Sequence, residues 1–312
     1  MKNSSLKTGR GQDAIGALAG PLRRALEAHR AGRLGQAEFY CRLVLAADGK
    51  QFDALHLLGV IAYQRGRPEE AHRLIRRALR VNPRSVHAHS NLGLVLADRG
   101  RLEEALASLD RALAIDPSYA LAHNTRGHLL WRLRRLDEAL DALDRALAAD
   151  PRYADALCNR GNVLVDLQRF DEALASYDRA LAANPNDAVT WNNRANVLWA
   201  LDRRQEAFES YDRAAALDPD DLSVLKDRGS ALLYAERGEE ALASFDRALA
   251  LKPDDIYFLY KRGMALAQLN RYDEALVAFD RALAVEPGHA DAANERDKLA
   301  ALQRAAETIA RR

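Results

Sequence analysis

Small and apolar residues return along this chain every 34 positions, with polar residues filling the same gaps each time. One alanine series runs Ala71, Ala105, Ala139, Ala173, Ala207, Ala241 and Ala275, and a second runs Ala78, Ala112, Ala146, Ala180, Ala214, Ala248 and Ala282. Between them stands a larger apolar residue: Ile75, Leu109, Leu143, Tyr177, Tyr211, Phe245 or Phe279. Steps of four and three residues put all three on one helical face. Upstream, Gly59, Gly93, Gly127, Gly161, Ala195, Gly229 and Gly263 mark a first helix that a second approaches closely. The pattern predicts two antiparallel helices per unit. No segment shows the alternation of a strand.

Punctuation agrees with this. Prolines close the units at Pro83, Pro117, Pro151, Pro185, Pro219, Pro253 and Pro287, mostly after Asp or Asn. Gly66, Gly100 and Asn270 sit where a first helix ends in the left-handed region, which costs least for Gly or Asn. Acidic pairs such as Glu103–Glu104, Asp137–Glu138 and Asp171–Glu172 then meet the positive end of the second helix dipole. A period this strict means one structural unit copied end to end, over 52–85, 86–119, 120–153, 154–187, 188–221, 222–255 and 256–289.

These residues carry a family resemblance. Unit Val86–Tyr119, with Leu92, Gly93, Leu96, Ala105, Leu109, Ala112 and Pro117, is similar to the tetratricopeptide repeat (TPR). The resemblance implies an all-α fold: a right-handed TPR superhelical solenoid of antiparallel helix pairs, with first helices lining the inner surface. Residues 14–51 read as a divergent N-terminal repeat, because Ala25, Ala28 and Ala37 are in register while Pro21 and Gly49 break the pattern. Residues 1–13 read as a disordered leader. From Ala290 the first-helix register restarts and turns charged at Glu295, Arg296 and Asp297, as a C-terminal capping helix over 290–312 requires.

Composition adds three points. Phe, Tyr and Trp make only 6% of the chain, so the core is built from Ala and Leu. Cys41 and Cys158 fall in separate repeats, which suits a reducing compartment. The stretch Ala14–Leu22 is too weakly apolar for a good signal peptide, and no run approaches a membrane span, so the expected location is cytoplasmic, with no membrane contact. Net charge is +1, but residues 1–85 hold 16 Lys and Arg against 7 Asp and Glu, while the rest of the chain is net acidic. Arg73, Arg76, Arg77, Arg80 and Arg84 form the densest basic segment. It reads as a solvated face or as a site for an anionic partner or self-association. Nucleic acid is not expected, since no aromatic residues are interleaved there.

The chemistry of an enzyme is missing. His89 and His123 fall at a core offset of their units, and there is no H-E-x-x-H, C-x-x-C or other ligand spacing, so neither a metal nor a cofactor is expected. The Asp110–Arg111, Asp144–Arg145 and Asp178–Arg179 pairs recur in too many units to be one active site. They read as surface or inter-repeat ion pairs, and the Arg126, Arg160, Arg194, Arg228 and Arg262 series reads as inter-repeat linkers.

The informative departure is on the first helices, which carry Asn91, Asn124, Asn159, Asn162, Asn192, Asn193 and Asn196. Each Asn in a helix interior costs roughly 0.5 kcal/mol against Ala. An amide both donates and accepts, so a row of them can bind the backbone of an extended peptide, or can bond the adjacent helix. Around the row lie His128, Trp131, Trp199, Lys226, Tyr234, Tyr257, Tyr260, Lys261, Asp155 and Asp166, the mixture of rings and polar groups expected of an interface. Trp191 sits at a core offset, and Tyr257 and Tyr260 suit either the groove or packing beneath the cap. The expected function is a non-enzymatic scaffold binding a protein or peptide in extended form, centred on Asn159, Asn162, Asn192, Asn193 and Asn196. Replacing those five by Ala is expected to abolish capture without changing stability.

The asparagine-bearing unit that begins at Trp191 also resembles the recruiting arm of O-GlcNAc transferase and its bacterial relatives. That resemblance implies the alternative of a recruiting subunit without the glycosyltransferase domain. A carboxylate clamp for a peptide C-terminus would use Lys226, Lys261, Asn192 and Asn196, but its full pattern is not met. Oligomerisation through the N-terminal repeat stays open.

Overall fold

A computed structural model describes the backbone of residues 9–310 and the side chains of residues 20–305. Among the described residues there are seventeen α-helices and no strand. The chain divides into two compact units, Met1–Val163 and Leu164–Arg312.

The first unit holds α1 (Gly9–Arg30), α2 (Leu34–Ala47), α3 (Phe52–Gln64), α4 (Pro68–Val81), α5 (Val86–Asp98), α6 (Leu102–Ile115), α7 (Ala120–Arg132), α8 (Leu136–Ala149) and most of α9 (Ala154–Asp166). The second holds α10 (Phe170–Ala183), α11 (Ala188–Ala200), α12 (Arg204–Leu217), α13 (Leu222–Tyr234), α14 (Gly238–Leu251), α15 (Ile256–Gln268), α16 (Tyr272–Val285) and α17 (Ala290–Ala310). Of the segment expected to be a leader, residues 1–8 lie outside the described residues, and α1 begins at Gly9.

Within each unit the helices pack as hairpins, α3 on α4, α5 on α6 and α7 on α8 in the first, α11 on α12, α13 on α14 and α15 on α16 in the second. Second helices also pack on the next first helix, as α4 on α5 and α14 on α15, and first helices touch one another, as α5 on α7 and α11 on α13. The glycine series explains the tight hairpin. A Cβ on Gly93 would lie 2.8 Å from Leu109, and one on Gly263 would lie 2.5 Å from Phe279. The mid-helix apolar residue of the second helix therefore sits against bare backbone of the first. From Ile75 to Phe279 that series is buried, the most exposed member, Tyr211, at 2%.

First helices end as expected at Gly66 (φ 70°), Gly100 (φ 72°) and Asn270 (φ 60°), and Gly32 (φ 69°) does the same between α1 and α2. The same turn recurs where no Gly or Asn signals it, at Arg134, Gln168, Asp202 and Glu236, all with φ between 58° and 61°. A backbone bond closes each turn; Arg237 N–H donates to the Leu232 carbonyl at 2.9 Å. Tertiary packing imposes the conformation there, because side chains other than Gly lose roughly 1–2 kcal/mol in the left-handed region. Units close on Asx turns: the Asp116 carboxylate accepts from the Ser118 N–H at 2.9 Å, and Asp150 accepts from Arg152 at 3.0 Å.

The two charged series of the sequence meet each other. Arg126 bonds Asp110 at 2.9 Å, Arg194 bonds Asp178 at 2.7 Å, Arg228 bonds Asp212 at 2.8 Å and Arg262 bonds Asp246 at 2.6 Å. Each joins a first helix to the second helix of the preceding hairpin. With the acid half-exposed, one such pair is worth about 0.2–1 kcal/mol. Arg194 and Arg228 also donate to Ser210 and Ser244, at 2.6 and 3.0 Å, and so tie their own hairpin as well.

At the N-terminal end Glu38 takes this role instead, accepting from Arg67, Arg65 and Arg42 at 2.7, 2.7 and 2.8 Å. The Arg67 hydrogen bond, opposed by burial and aided by Arg42 and Arg65, lowers its pKa from an ordinary 4.5 to about 2. A carboxylate whose pKa is depressed on folding contributes stability above its unfolded value and loses it as the pH falls toward the folded one. Glu38→Gln should thus be less stable than the parent at pH 7 in urea unfolding, and the gap should close as pH drops from 4.5 to about 2. A gap as wide at pH 2.5 as at pH 7 would exclude this role. Separately, Glu236→Gly should stabilise the fold by about 1 kcal/mol and Gly100→Ala should destabilise it by a similar amount, both read as shifts in urea midpoint.

Candidate functional site

Successive first helices meet side by side, so a side chain on one reaches a side chain about one repeat further on. In the first unit the Asn91 amide donates to His56 Nε2 at 2.9 Å, and Asn159 donates to Asn124 Oδ1 at 2.9 Å. Asn124 in turn donates to the Tyr153 hydroxyl at 3.4 Å and is buried, 8% exposed. Burial, with the His87 charge nearby, lowers the pKa of His56, which suits a neutral ring accepting from Asn91. The His128 and Trp131 rings meet edge to face at 5.7 Å, and burial also lowers the His128 pKa, the Arg132 charge acting in the same direction. Asn162 is half-buried on α9.

The second unit carries the better-formed site. Asn192 and Asn196 both donate to Asp227 Oδ2, at 2.8 and 2.9 Å, and the Tyr211 hydroxyl donates to Asn196 Oδ1 at 2.6 Å. Burial, with the Asp227 charge beside it, raises the Tyr211 pKa and keeps the phenol a donor. Two amides of α11 thereby hold one carboxylate of α13, and the Tyr211 hydroxyl of α12 fixes the second of those amides. Asn192 is buried and its Oδ1 has no partner in the fold.

A groove of about 710 Å³ opens beside this carboxylate. Helix α11 contributes Asn196 and Trp199, α13 contributes Asp227, Ser230, Leu233 and Tyr234, α15 contributes Lys261, Met264 and Gln268, and α17 contributes Glu295. Trp199 and Tyr234 stand edge to face at 5.7 Å, with the Arg204 guanidinium 5.0 Å and 5.1 Å from their centroids. Tyr234 is 69% exposed, an unusual cost for so large a ring.

The asparagines are less available than the sequence suggests. Asn124 and Asn192 are buried, and Asn91, Asn124, Asn159, Asn192 and Asn196 are bonded to neighbouring helices. Asn193 is half-buried on α11. Of the two uses open to these amides, gripping a peptide backbone or bonding the adjacent helix, five are seen in the second, at the register where first helices touch. Lys226 and Lys261 lie over the Tyr257 ring at 5.3 and 5.7 Å, so both ammonium groups are held by aromatic faces. Tyr260 packs on Phe279 and on His289 of the following turn, and Tyr257 bonds Ser230 at 2.6 Å. His89, His123 and Trp191 share one offset, and each ring bonds the carbonyl of the preceding unit's proline, at 2.9, 2.9 and 3.0 Å, a structural use.

Asp227, Tyr211 and Arg204 were missed by reading residue types. Asp227 stands at the offset of Asn91, Asn159 and Asn193, so aligning columns and not asparagines finds it. Tyr211 stands in the core series, and its hydroxyl is the signal, since Ile75, Leu109, Leu143, Phe245 and Phe279 have none. Because Asn192 is buried and bonded, Asn192→Ala should lower stability by about 1–3 kcal/mol, and Asn196→Ala by less. Equal stability of parent and Asn192→Ala in urea unfolding would contradict the bonded geometry.

Two family models described as tetratricopeptide repeat match the chain, one at residues 56–120, 124–188, 158–222 and 192–256, the other at 231–304. No curated protein sequence matches it. Among solved structures, Pseudomonas aeruginosa pilF is 24% identical with a TM-score of 0.60, covering 66% of this chain and 94% of its own. YrrB, a TPR protein with an unusual peptide-binding site, is 25% identical with a TM-score of 0.53, covering 61% of this chain and 97% of its own. A thermophilic TPR protein of Thermus thermophilus is 25% identical with a TM-score of 0.50, covering 58% of this chain and 99% of its own. Among the described residues no helix is long and apolar enough to cross a membrane, and no group of His, Cys, Asp and Glu could hold a metal ion. Helix pairs, repeat period and family models coincide over most of its length, and the chain belongs to the tetratricopeptide repeat family, whose proteins are in general protein-interaction scaffolds and typically non-enzymatic.

Proposed function

We propose that this protein is a non-enzymatic scaffold that takes an extended peptide segment of a partner protein into the groove beside Asp227. One observation carries the reading: Trp199 and an exposed Tyr234 flank a groove in which the Asp227 carboxylate is already held by Asn192 and by Asn196, itself braced by Tyr211. Amphipathic rings desolvate a peptide at low entropic cost, while groups fixed in advance lose little freedom on binding. The peptide-binding site named for YrrB supports the same use of a TPR array. In this reading Asn192 and Asn196 position Asp227 and do not form the contact row themselves. Asn91, Asn124, Asn159, Asn162 and Asn193, with His128 and Trp131, shape the first-helix faces; Lys226 and Tyr260 border the groove through Tyr257 and α17.

The alternative use, as a recruiting arm for a separate glycosyltransferase of the O-GlcNAc transferase type, rests on amides free to grip a peptide backbone. Five of those amides are engaged within the fold, so the aromatic groove is preferred. The double variant Trp199→Ala/Tyr234→Ala, at unchanged helicity, should lose peptides captured from an array by about tenfold or more in affinity. Undiminished capture by the double variant would remove the groove from the function.

A further inference from the structure

A second groove, remote in sequence from the first, breaks the charge pattern of its own repeat. Between α2 and α4 a cavity of about 560 Å³ is bordered by Arg42, Arg73 and Arg77 over a floor that includes Leu45, Leu58 and Leu74. The same groove recurs two repeats on, between α6 and α8, as a cavity of about 300 Å³. There Asp110 and Asp141 stand at the offsets of Arg42 and Arg73, and Arg126 at the offset of Leu58. The later groove is neutral, with Arg126 bonded to Asp110 at 2.9 Å and Arg145 to Asp141 at 3.0 Å. The earlier one has three guanidinium groups against Glu70, whose carboxylate is already shared by Arg42 and Arg67 at 3.1 and 2.7 Å.

The departure continues along α4. Arg76 takes the offset of Asp110, and Arg80 takes the offset of Ala114. Arg73, Arg76, Arg77 and Arg80 follow the i, i+3, i+4, i+7 spacing, a single stripe about 10 Å long. Arg73, Arg76 and Arg80 are exposed and have no ion-pair or hydrogen-bond partner among the described residues, where Arg77 bonds the Gly49 carbonyl at 3.1 Å. Arg77 and Arg80 also border a neighbouring cavity of about 870 Å³ with Lys50, Val81 and Asp48, and the Asp48 carboxylate accepts from the Lys50 backbone N–H. Six other units place an acid at the offset of Arg76. Here the helix surface collects like charges that repel one another, with no ion pair to Arg73, Arg76 or Arg80 among the described residues.

We propose that this trough binds an acidic, amphipathic peptide segment of another protein, independently of the groove beside Asp227. Carboxylates would pair with the Arg73–Arg80 stripe, whose planar forks match them two bonds at a time. Leucine-like side chains would lie over Leu45, Leu58 and Val81. A bilayer is a plane and meets ridges, not an aliphatic floor. A nucleic acid chain calls for aromatic stacking partners that this trough lacks. Charge complementarity to an acidic peptide with apolar positions satisfies both rim and floor.

The test uses the full chain and a fluorescein-labelled peptide, about 14 residues long, of Glu and Asp with Leu at every third or fourth position. The variant Arg73→Ala/Arg76→Asp/Arg80→Ala restores residues that a later repeat carries at the same offsets, Ala107, Asp110 and Ala114, and should fold normally. Fluorescence anisotropy should show affinity for the peptide falling about tenfold or more in this variant. It should also fall when Leu is replaced by Ser in the peptide or when salt is raised, and hold steady in Trp199→Ala/Tyr234→Ala. The proposal is overturned by equal affinity of parent and variant, or by indifference to the Leu positions. It is equally overturned by tighter, stripe-dependent binding of phosphatidylserine vesicles or a single-stranded oligonucleotide, or by a dimer of the parent that the variant abolishes. Loss of the peptide on Trp199→Ala/Tyr234→Ala alone would place the probe in the other groove and sink the proposal too.

Discussion

Everything in this molecule follows from how closely the two helices of a hairpin approach. A glycine in the first helix faces one large apolar residue in the second, and a single added carbon would collide with it at 2.5–2.8 Å. With backbone against ring or leucine, the core of each hairpin is only one side chain thick. That is why a chain with 6% aromatic residues still builds a dry interior. It is also why so much polar side chain is left at the seams between hairpins, where the specific bonds of this protein are found.

Those seams are of two kinds. Where a second helix meets the next first helix, Asp–Arg pairs cross at 2.6–2.9 Å on a solvated face and contribute modestly, consistent with their copying from unit to unit. Where first helices meet, the pairs differ in every repeat: His56 with Asn91, Asn124 with Asn159, Asn192 with Asp227. A copied interaction serves the fold alone. An interaction that varies between copies of one fold is free of that constraint, and the Asp227 cluster is where such variation has produced an oriented charge beside exposed rings.

The fold was legible because its signals are local and repeated: glycine, alanine and proline columns name the helices, the close approach and the turns. Left-handed ends at Arg134, Gln168, Asp202 and Glu236 were not legible, since no residue there prefers that backbone and packing alone imposes it. At the proposed site, Asn196, Trp199 and Tyr234 stand out in the sequence because their types are costly on a helix or a surface. Whether the asparagines bond a peptide or the adjacent helix stayed open in the sequence, because it depends on which face of a first helix meets its neighbour. A one-dimensional pattern places residues on faces; it does not say which face is already occupied.

A repeat protein also supplies its own control, and this bears on both grooves. Any offset filled alike in six units is explained by stacking, so a residue that departs from its column must be explained by something else. Asp227 departs from the Asn91, Asn159 and Asn193 of its column and is met by two amide donors, one of them braced by Tyr211, which gives the departure a structural frame. Arg73, Arg76 and Arg80 depart within columns of mostly small or acidic residues and have no ion-pair partner among the described residues. Like charges set 5–6 Å apart on one helix face destabilise it when uncompensated. The acidic peptide proposed above would compensate that stripe, and the aliphatic floor beneath it would favour an anion that carries apolar side chains.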